Sequence, residues 1–528
     1  MTLNEAAKFY VGTDQNRYAV VRNTLFTKLW VFVSYTLSVI TSGAIDFIKD
    51  GLGTLTFSAA NTYTGKTIVK KGTLATSAAN RIADSSVVEV DLGATFQIGG
   101  AETIAGLSGA GTVAIGENNI TLSGSGTTDF SGNLTNTTGG FTKSGTGSQT
   151  LSGTSSITGA FIHNGGTLII SGSLTTNKDM SLCKGTSVSP ANCTITGTIT
   201  QTGQTNDPRA FAIAQDANQF GTLTITGANI SLFRGAFIGD NNSTNSNGTI
   251  VMNSGTLNAN GEIWLSGASN TFTQNGGTTS VNRFYISGGG NGTNNPSPVS
   301  VANINGGIFD VRLLSAINQS VVVFGTNAAG VSSTNTVNLN GGTLKHNHFF
   351  ANTPASGQTI VNTINFNGGT LDLDKGTSRN FPLNTPAGVT WNLIIKNGGG
   401  IISVVSATSM VMSVAFTNDG GNGGLTKQGA GTLAMGSLAH SYNGSSSIEA
   451  GTITRTIVNA GTSPGSVNGT ATFTNTTLSV SFDVAPSIGM TFKFFPGATT
   501  QSYASVTLVN AAGRTGIYDS PTSTLTIS

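Results

Sequence analysis

Two histidines separated by one residue, His346 and His348, are the best candidates for metal chemistry in this sequence. Residues two positions apart on a β-strand share a face, so both imidazoles could bind one metal ion. In a trimeric fibre, three such pairs could surround an ion on the axis. The alternative is a pair of exposed polar side chains that lead into Phe349 and Phe350. We expect the remaining histidines, in contrast, on the surface of repeat coils: His163 and His440.

A second pair, Asp372 and Asp374, places two carboxylates on one face of a predicted strand. Paired carboxylates hydrolyse glycosides when they lie about 5 to 9 Å apart. The alternatives are an outward coil face or a contact to Ca²⁺. Because nothing else in the sequence supports catalysis, we expect a protein that is not an enzyme and that has no cofactor.

The two cysteines, Cys183 and Cys193, enclose a short loop that contains Pro190. They could form a disulfide, or both could remain free thiols in a protein assembled in a reducing cytoplasm. A metal site needs three or four ligands, so the pair alone does not make one.

Aromatic side chains in the irregular middle of the chain are the most plausible binding surface. Long insertions on a rigid repeat scaffold commonly carry recognition. Aromatic rings stack on sugar faces, and amide side chains bind sugar hydroxyls, so we expect a glycan or protein of a host surface as the ligand. The candidate residues are Trp264, Phe284, Tyr285, His346, Phe349 and Phe350.

The composition favours β-structure whose solvent-exposed side chains carry hydroxyl and amide groups rather than charges. Only 9% of the 528 residues are charged and 72 are glycine, whereas a typical globular protein has about 25% charged residues. Disorder is excluded for most of the chain because 37% of the residues are hydrophobic and alternate with polar ones. The net charge is +2 with no basic block, so we expect no binding to nucleic acid.

Three segments repeat the same landmarks. Lys49 and Leu74 lie 25 residues apart, as do Lys143 and Leu168, and each segment runs from Lys-x-Gly-x-Gly to Gly-Thr-Leu. A third segment, 427–453, is one residue longer. The spacing predicts a repeat with a period near 25 residues.

Between the second and third segments, a Gly-Gly corner returns at variable intervals. The steps between second glycines, from Gly255 to Gly399, are 22, 30, 35, 27 and 30 residues. Asn-Gly and Gly-Gly supply the positive φ that tight corners need, and the flanking residues alternate between apolar and polar. Stacked coils bury a continuous core, so we predict a β-solenoid rather than an antiparallel sandwich. The predicted corner glycines are Gly51, Gly53, Gly65, Gly72, Gly145, Gly147, Gly159, Gly166, Gly342, Gly369, Gly429, Gly431, Gly444 and Gly451.

Lys-x-Gly-x-Gly-Thr-Leu-Thr-Phe at 49–57, Asn-Thr-Tyr-Thr-Gly at 61–65 and Gly-Thr-Leu at 72–74 resemble the autotransporter-associated β-strand repeat. This repeat occurs in passenger regions of bacterial autotransporter adhesins and in some phage tail-fibre proteins. Residues 461–465 also resemble the tail of such passengers. The resemblance implies an all-β, right-handed parallel β-helix exposed at a surface, and it implies no catalytic mechanism.

The predicted organisation is an N-terminal head at 1–44, a solenoid shaft at 45–453 and a β-rich cap at 454–528. The apolar run Leu29–Ile40 is too short to span a bilayer as a helix, and we favour a structured head over a signal peptide. About 75 residues follow the third repeat, too few for the membrane barrel of a complete autotransporter.

This organisation favours a phage tail fibre or appendage on the virion surface. We expect such a fibre to be a homotrimer that docks on other virion proteins through its head and has no transmembrane segment. The alternatives are a secreted adhesin on a bacterial cell surface and a tailspike that cleaves glycans.

Overall fold

The computed structural model describes an all-β chain. The described residues are 8–10, 18–22, 26–31, 34–38, 40–203, 209–239, 245–287, 298–312, 321–325, 331–373, 379–457, 469–474, 477–494, 503, 505–519, 522 and 524–528. No helix occurs among them, and hence none that is long and apolar enough to cross a membrane. Two compact units are present, and residues near 240–262 alternate between them: Met1–Asp240, Asn245–Val251 and Gly255–Gly261 form the first, and Asn241–Thr244, Met252–Ser254 and Glu262–Ser528 form the second.

In the first unit, successive coils stack as parallel strands, which confirms the predicted parallel β-helix. The first stack contains Asp46–Asp50, Thr67–Val69, Val87–Val90, Gly106–Gly109, Thr127–Phe130, Ser148–Leu151, Thr167–Ile170, Ala191–Ile195, Phe220–Ile225 and Asn247–Met252. The second contains Tyr35–Leu37, Thr54–Phe57, Thr73–Thr76, Thr95–Gln97, Thr112–Gly116, Asn133–Asn136, Thr154–Ile157, Ser173–Thr176, Thr198–Gln201, Ala228–Leu232 and, of the strand Gly255–Leu265, the residues up to Gly261. The third contains Glu102–Ile104, Asn119–Leu122, Gly140–Lys143, Phe161–His163, Met180–Leu182, Arg209–Ile213 and Gly235–Ile238, and a separate short pair consists of Ser42–Gly43 and Thr62–Tyr63.

The second unit repeats this construction with longer coils. Its first stack contains Ser269–Gln274, Val299–Ile304, Ser333–Leu339, Ile360–Phe366, Val389–Ile395 and Phe416–Asn418. Its second contains Thr278–Ile286, Ile308–Asp310, Thr343–Lys345, Thr370–Leu373, Gly400–Val404, Leu425–Gln428 and Ser446–Ile448. The end of Thr278–Ile286 also pairs with Val321–Phe324 and then His348–Ala351, and a further stack contains Arg379–Phe381, Ser409–Met412, Thr432–Gly436 and Thr452–Ile457.

Antiparallel strands lie at both ends of the chain. Lys8–Tyr10, Tyr18–Arg22 and Phe26–Val31 form a meander, and its last strand pairs in parallel with Asp46–Asp50. Such pairing covers the open edge of the first coil, which would otherwise be free to pair with other chains. Toward the C terminus, Thr452–Ile457, Gly469–Thr474 and Thr477–Phe482 pair antiparallel, and Ser505–Val509 pairs in parallel with the last of them. A separate antiparallel sheet contains Thr491–Lys493, Gly516–Asp519 and Thr524–Ile527.

Alternating side chains fill the interior. In Thr54–Phe57, Leu55 and Phe57 are fully buried and the threonines are half-buried. Side chains on a strand point alternately to its two faces, and β-branched and aromatic residues pack well there. The apolar alternation seen in the sequence is therefore the inward face of each coil.

The strand register corrects the predicted period. Leu55 pairs with Leu74, so the Gly-Thr-Leu that opens the first repeat and the one that closes it occupy one corner in successive coils, 19 residues apart. The second and third repeats behave in the same way. The period near 25 residues is wrong, because each repeat begins in one coil and ends in the next. In the second unit, Thr343 pairs with Ile308 of the preceding coil and with Thr370 of the following one. The variable steps between the Gly-Gly corners are therefore the lengths of single coils.

Asparagine side chains form ladders along two lines of the second unit. Asn275, Asn305, Asn340 and Asn367 each donate from Nδ2 to Oδ1 of the asparagine one coil earlier, beginning at Asn253, over 2.9 to 3.4 Å. A parallel ladder joins Asn303, Asn338 and Asn365 over 2.7 to 2.8 Å. The asparagines of the Asn-Gly-Gly corners at 275, 305, 340 and 367 thus bond to one another from coil to coil, a role that the turn chemistry alone did not suggest.

The corner glycines serve two different purposes. Gly72 has φ of 66°, in the left-handed region that glycine favours. The other predicted corners in that region are Gly51, Gly166, Gly429 and Gly451. At Gly147 φ is not positive, and instead a Cβ would lie 2.1 Å from the carbonyl oxygen of Gly126 in the adjacent coil. Positive φ was therefore the wrong reason for Gly53, Gly65, Gly145, Gly147, Gly159, Gly342, Gly369, Gly431 and Gly444.

Candidate functional site

An outward pair of stacked aromatic rings is the candidate binding site. Trp264 lies at the end of Gly255–Leu265 and Tyr285 near the end of Thr278–Ile286. Their ring centroids are 3.9 Å apart with an interplanar angle of 17°, and both side chains are half-buried. The sequence predicted each ring as an outer-face aromatic, and the structure brings them together across neighbouring coils of the second unit.

Charged groups hold this aromatic pair in place. Trp264 donates from Nε1 to Glu262 Oε2 over 2.7 Å, and Arg283 Nη1 donates to Glu262 Oε1 over 2.9 Å. Arg283 also lies 3.4 Å from the Tyr285 hydroxyl. Burial, with the nearby Glu262 carboxylate, raises the pKa of Tyr285, so the phenol stays protonated at neutral pH. The cluster therefore offers a ligand ring edges, a phenol and a half-exposed ion pair.

The column that begins with the stacked pair is interrupted by one buried residue. Tyr285 is in register with Val323, which is 5% exposed, and Val323 is in register with Phe350, which is half-buried and forms the far end of this outward column. Phe349 belongs to the opposite face: it is fully buried, as is Phe284, and the two share an inward column. The prediction of an outward Phe349 and Phe284 is wrong, because side chains alternate between faces and their neighbours take the outward positions.

The predicted metal ligands His346 and His348 both lie in the interior. His346 is 2% exposed and packs between Phe349 and Phe381, with ring centroids 4.7 and 5.8 Å away. Burial lowers its pKa to about 3, with further contributions from His348 and Arg312. The expectation of exposed polar histidines is wrong, and a nearby guanidinium disfavours a bound cation. Among the described residues, no three His, Cys, Asp or Glu side chains meet as a metal site.

The remaining predicted sites are the carboxylate pair, the cysteine pair and the segment after the third repeat. Asp372 lies 3.9 Å from Lys345 Nζ, and Asp374 and residues 461–465 lie outside the described residues. Cys183 and Cys193 are both buried free thiols, so of the two alternatives the structure has the unbonded one. Burial and the adjoining Cys193 raise the pKa of Cys183, which keeps that thiol protonated and weakly reactive.

A lysine inside each repeat is the feature that sequence reasoning missed. Lys49, Lys143 and Lys427 are 0 to 2% exposed. Lys49 Nζ donates to the carbonyl oxygens of Gly51 and of Lys71, over 2.5 and 2.6 Å. These carbonyls belong to the same corner in two successive coils, so the ammonium group ties one coil to the next. The Lys-x-Gly-x-Gly spacing could have indicated this contact, because each lysine bonds to the carbonyl oxygen of the corner residue two positions further along the chain.

The other two repeats place their ammonium groups in the same way. Lys143 donates to Gly145 O and to Gly165 O, the latter over 3.1 Å. Lys427 donates to Gln428 O, to Gly429 O over 2.6 Å and to Ala450 O over 3.3 Å. Burial lowers the pKa of all three lysines to about 8.

A second interior position varies between repeats. Val69, His163 and Ile448 each pair with the lysine of their own repeat. His163 is fully buried and its Nε2 lies 3.0 Å from Gly165 O, which corrects the expectation of a surface position for this histidine. His440 is half-buried against Phe416. Burial and Lys143 lower the pKa of His163 to about 4.

Comparison with known proteins locates these repeats in a family. Residues 47–75, 141–174 and 425–454 match the passenger-associated-transport-repeat family. The chain is also 31% identical over 269 residues to the adhesin BmaC autotransporter of Brucella suis biovar 1 (strain 1330), a match that covers 50% of this chain and 7% of that protein. No solved structure matches. The three segments with buried lysines therefore match the passenger-associated-transport-repeat family, and they lie in a parallel β-helix.

Proposed function

We propose that this chain is a passenger-type adhesin segment that is exposed at a bacterial cell surface. One observation carries the proposal. Each of the three matched repeats contains a buried lysine whose Nζ bonds to a carbonyl oxygen in the next coil of a parallel β-helix. The relative named as an autotransporter adhesin supports the same function. Its match covers 7% of that protein, so where this chain begins and ends does not distinguish an adhesin from a fibre.

The virion fibre remains a prediction, together with its homotrimer and its docking on other virion proteins. Antibodies raised against the purified chain distinguish the two locations. They are applied to intact cells that produce the protein and to phage particles released from those cells. We expect labelling of the cell surface. Labelling confined to particles would establish the fibre instead.

Adhesion is assigned to the outward column of Trp264, Tyr285 and Phe350. In protein–protein interfaces, a few tryptophan, tyrosine and arginine side chains near the centre of the contact supply most of the binding energy. Replacing both Trp264 and Tyr285 with alanine removes the stacked pair, and we expect a loss of about tenfold or more in binding to host cells. Phe233, which is 45% exposed in the first unit, provides the matched control Phe233→Ala. Equal binding by the double variant and the control would assign adhesion to another surface.

We further propose that the chain is not an enzyme. Asp372 pairs with Lys345 at 3.9 Å rather than with a second carboxylate among the described residues. Incubation of the purified chain with host polysaccharides, followed by an assay for new reducing ends, tests the alternative of a tailspike. We expect no reducing ends. Their release, and its loss in Asp372→Asn, would make the chain a glycosidase.

A further inference from the structure

The outer face of the first stack in the second unit is a regular polar grid. Five strands in continuous register present four outward positions each, all of them exposed or half-buried. The five coils contribute Ser269, Thr271, Thr273 and Asn275; Val299, Val301, Asn303 and Asn305; Thr334, Thr336, Asn338 and Asn340; Val361, Thr363, Asn365 and Asn367; and Thr390, Asn392, Ile394 and Lys396.

This grid carries almost no charge. Hydroxyls, amides and small apolar side chains occupy nineteen of its twenty positions, and Lys396 forms an ion pair with Asp419. Coils repeat every ~4.8 Å and outward side chains every ~6.6 Å along a strand, so the grid spans about 20 Å in each direction. Such a surface offers an acidic polymer a single cation, which already pairs with a carboxylate. It also lacks the aromatic and arginine anchors on which protein interfaces depend.

The amides of the grid are held in place before any ligand arrives. Asn338 donates to Asn303 over 2.8 Å, Asn365 donates to Asn338 over 2.7 Å, and Asn303 donates to Thr273 Oγ1 over 3.1 Å. Each ladder bond uses one of the two N–H groups of an asparagine amide. Because the side chains are already ordered, a ligand that binds the outer N–H and carbonyl groups costs little conformational entropy.

We infer that this grid binds an extended, uncharged polysaccharide. A sugar chain presents hydroxyl edges and apolar C–H faces at regular intervals, and the grid presents amides, hydroxyls and methyl groups at regular intervals. Many weak contacts in register add up to firm attachment on an ordered polymer. The inference adds a ligand class to the proposed adhesin and is separate from the Trp264 column. The location of the chain on cells is tested independently, so either proposal can fail while the other stands.

Co-sedimentation of the purified chain with microcrystalline cellulose and with chitin tests the inference, with alginate beads as the acidic comparison. The double variant Thr336→Lys with Thr363→Lys places two ammonium groups at the centre of the grid and leaves the ladders intact. We expect binding to cellulose or chitin and not to alginate. We expect a loss of about tenfold or more in the double variant, since a ligand would bury unpaired charges. The control Ser403→Lys makes the same change on another face of the same unit, and we expect it to bind as wild type.

Three results would overturn the inference. One is that neither cellulose nor chitin retains the chain, and another is that alginate retains it equally. The third is that cellulose or chitin retains the double variant as well as it retains the wild type. Circular dichroism melts check that all variants are folded. Sedimentation velocity addresses a different occupant of the face: dimers that the double variant dissociates would assign the grid to a second copy of the chain.

Discussion

Replacing Lys143 with methionine tests whether the buried ammonium closes the repeat. Methionine keeps the length of the apolar stem and removes the donor, which leaves the carbonyls of Gly145 and Gly165 without their bond from Nζ. A hydrogen bond from a charged group is worth about 1.5 to 3 kcal/mol, and the variant no longer buries a charge, which offsets part of the loss. We expect a net destabilisation of about 2 kcal/mol.

The loss should be local, because each coil of a solenoid contacts only its neighbours. Hydrogen exchange of the amides in Ser148–Leu151 and Thr167–Ile170, the paired strands that flank the corner, measures it. A change of about 2 kcal/mol corresponds to roughly thirtyfold faster exchange. Lys70→Met, at an exposed position, is the matched control. If both variants exchange at the same rate, the ammonium does not stabilise the coil.

The pH dependence tests a separate property of Lys143, the burial of its ammonium group. In the folded chain the pKa of Lys143 is lowered from 10.5 to about 8. Between these values the unfolded chain binds more protons, so the free energy of unfolding rises with pH in that window. We expect the urea midpoint of the wild type, compared with that of Lys143→Met, to rise from pH 7.5 to pH 9.5. A constant difference would refute the burial of the ammonium group.

Three further predictions concern single side-chain contacts. Because the pKa of His163 is lowered to about 4, the folded chain loses stability as pH falls from 6.5 toward 4; His163→Val should reduce this loss in thermal melts at pH 7 and pH 5, with the part due to His346 and His440 remaining, and equal losses in both proteins would contradict it. Ile394 follows Asn365 in register and ends its ladder, so Ile394→Asn should extend the ladder and add about 1 kcal/mol in urea unfolding, whereas a decrease would show that the amide packs poorly there. Tyr442→Phe removes the bond of 2.6 Å to Ser446 and should cost about 1 kcal/mol, a loss that should disappear when Ser446→Ala is already present.

The sequence was sufficient to predict the stacked coils and their corners, since alternation and Gly-Gly spacing depend on local geometry. It was not sufficient to predict the coil length. Residue 49 and residue 74 stand in different coils, and only the pairing of Leu55 with Leu74 separates the length of the repeat from the length of the coil. The pairing of strands from different coils depends on the tertiary structure, so the sequence of one repeat does not reveal it.

The candidate site was only partly predictable for a related reason. Trp264 and Tyr285 are 21 residues apart and meet because neighbouring coils place them side by side. Phe349 and Phe350 could not be told apart, because the corner at His346 and Asn347 resets the alternation. The enclosed lysines were missed because lysine is rarely buried unless its charge is paired, and here backbone carbonyls take the place of a carboxylate.

The enclosed lysines have a consequence for proteolysis. Trypsin-like proteases cleave after lysine and arginine in segments that can open and enter the enzyme, and this chain has 24 such residues in 528. Lys49, Lys143 and Lys427 lie inside ladders of backbone bonds with their side chains sealed from the surface. Cleavage at these bonds therefore requires a whole coil to unravel. The residue that closes each repeat also withholds its own scissile bond from secreted enzymes.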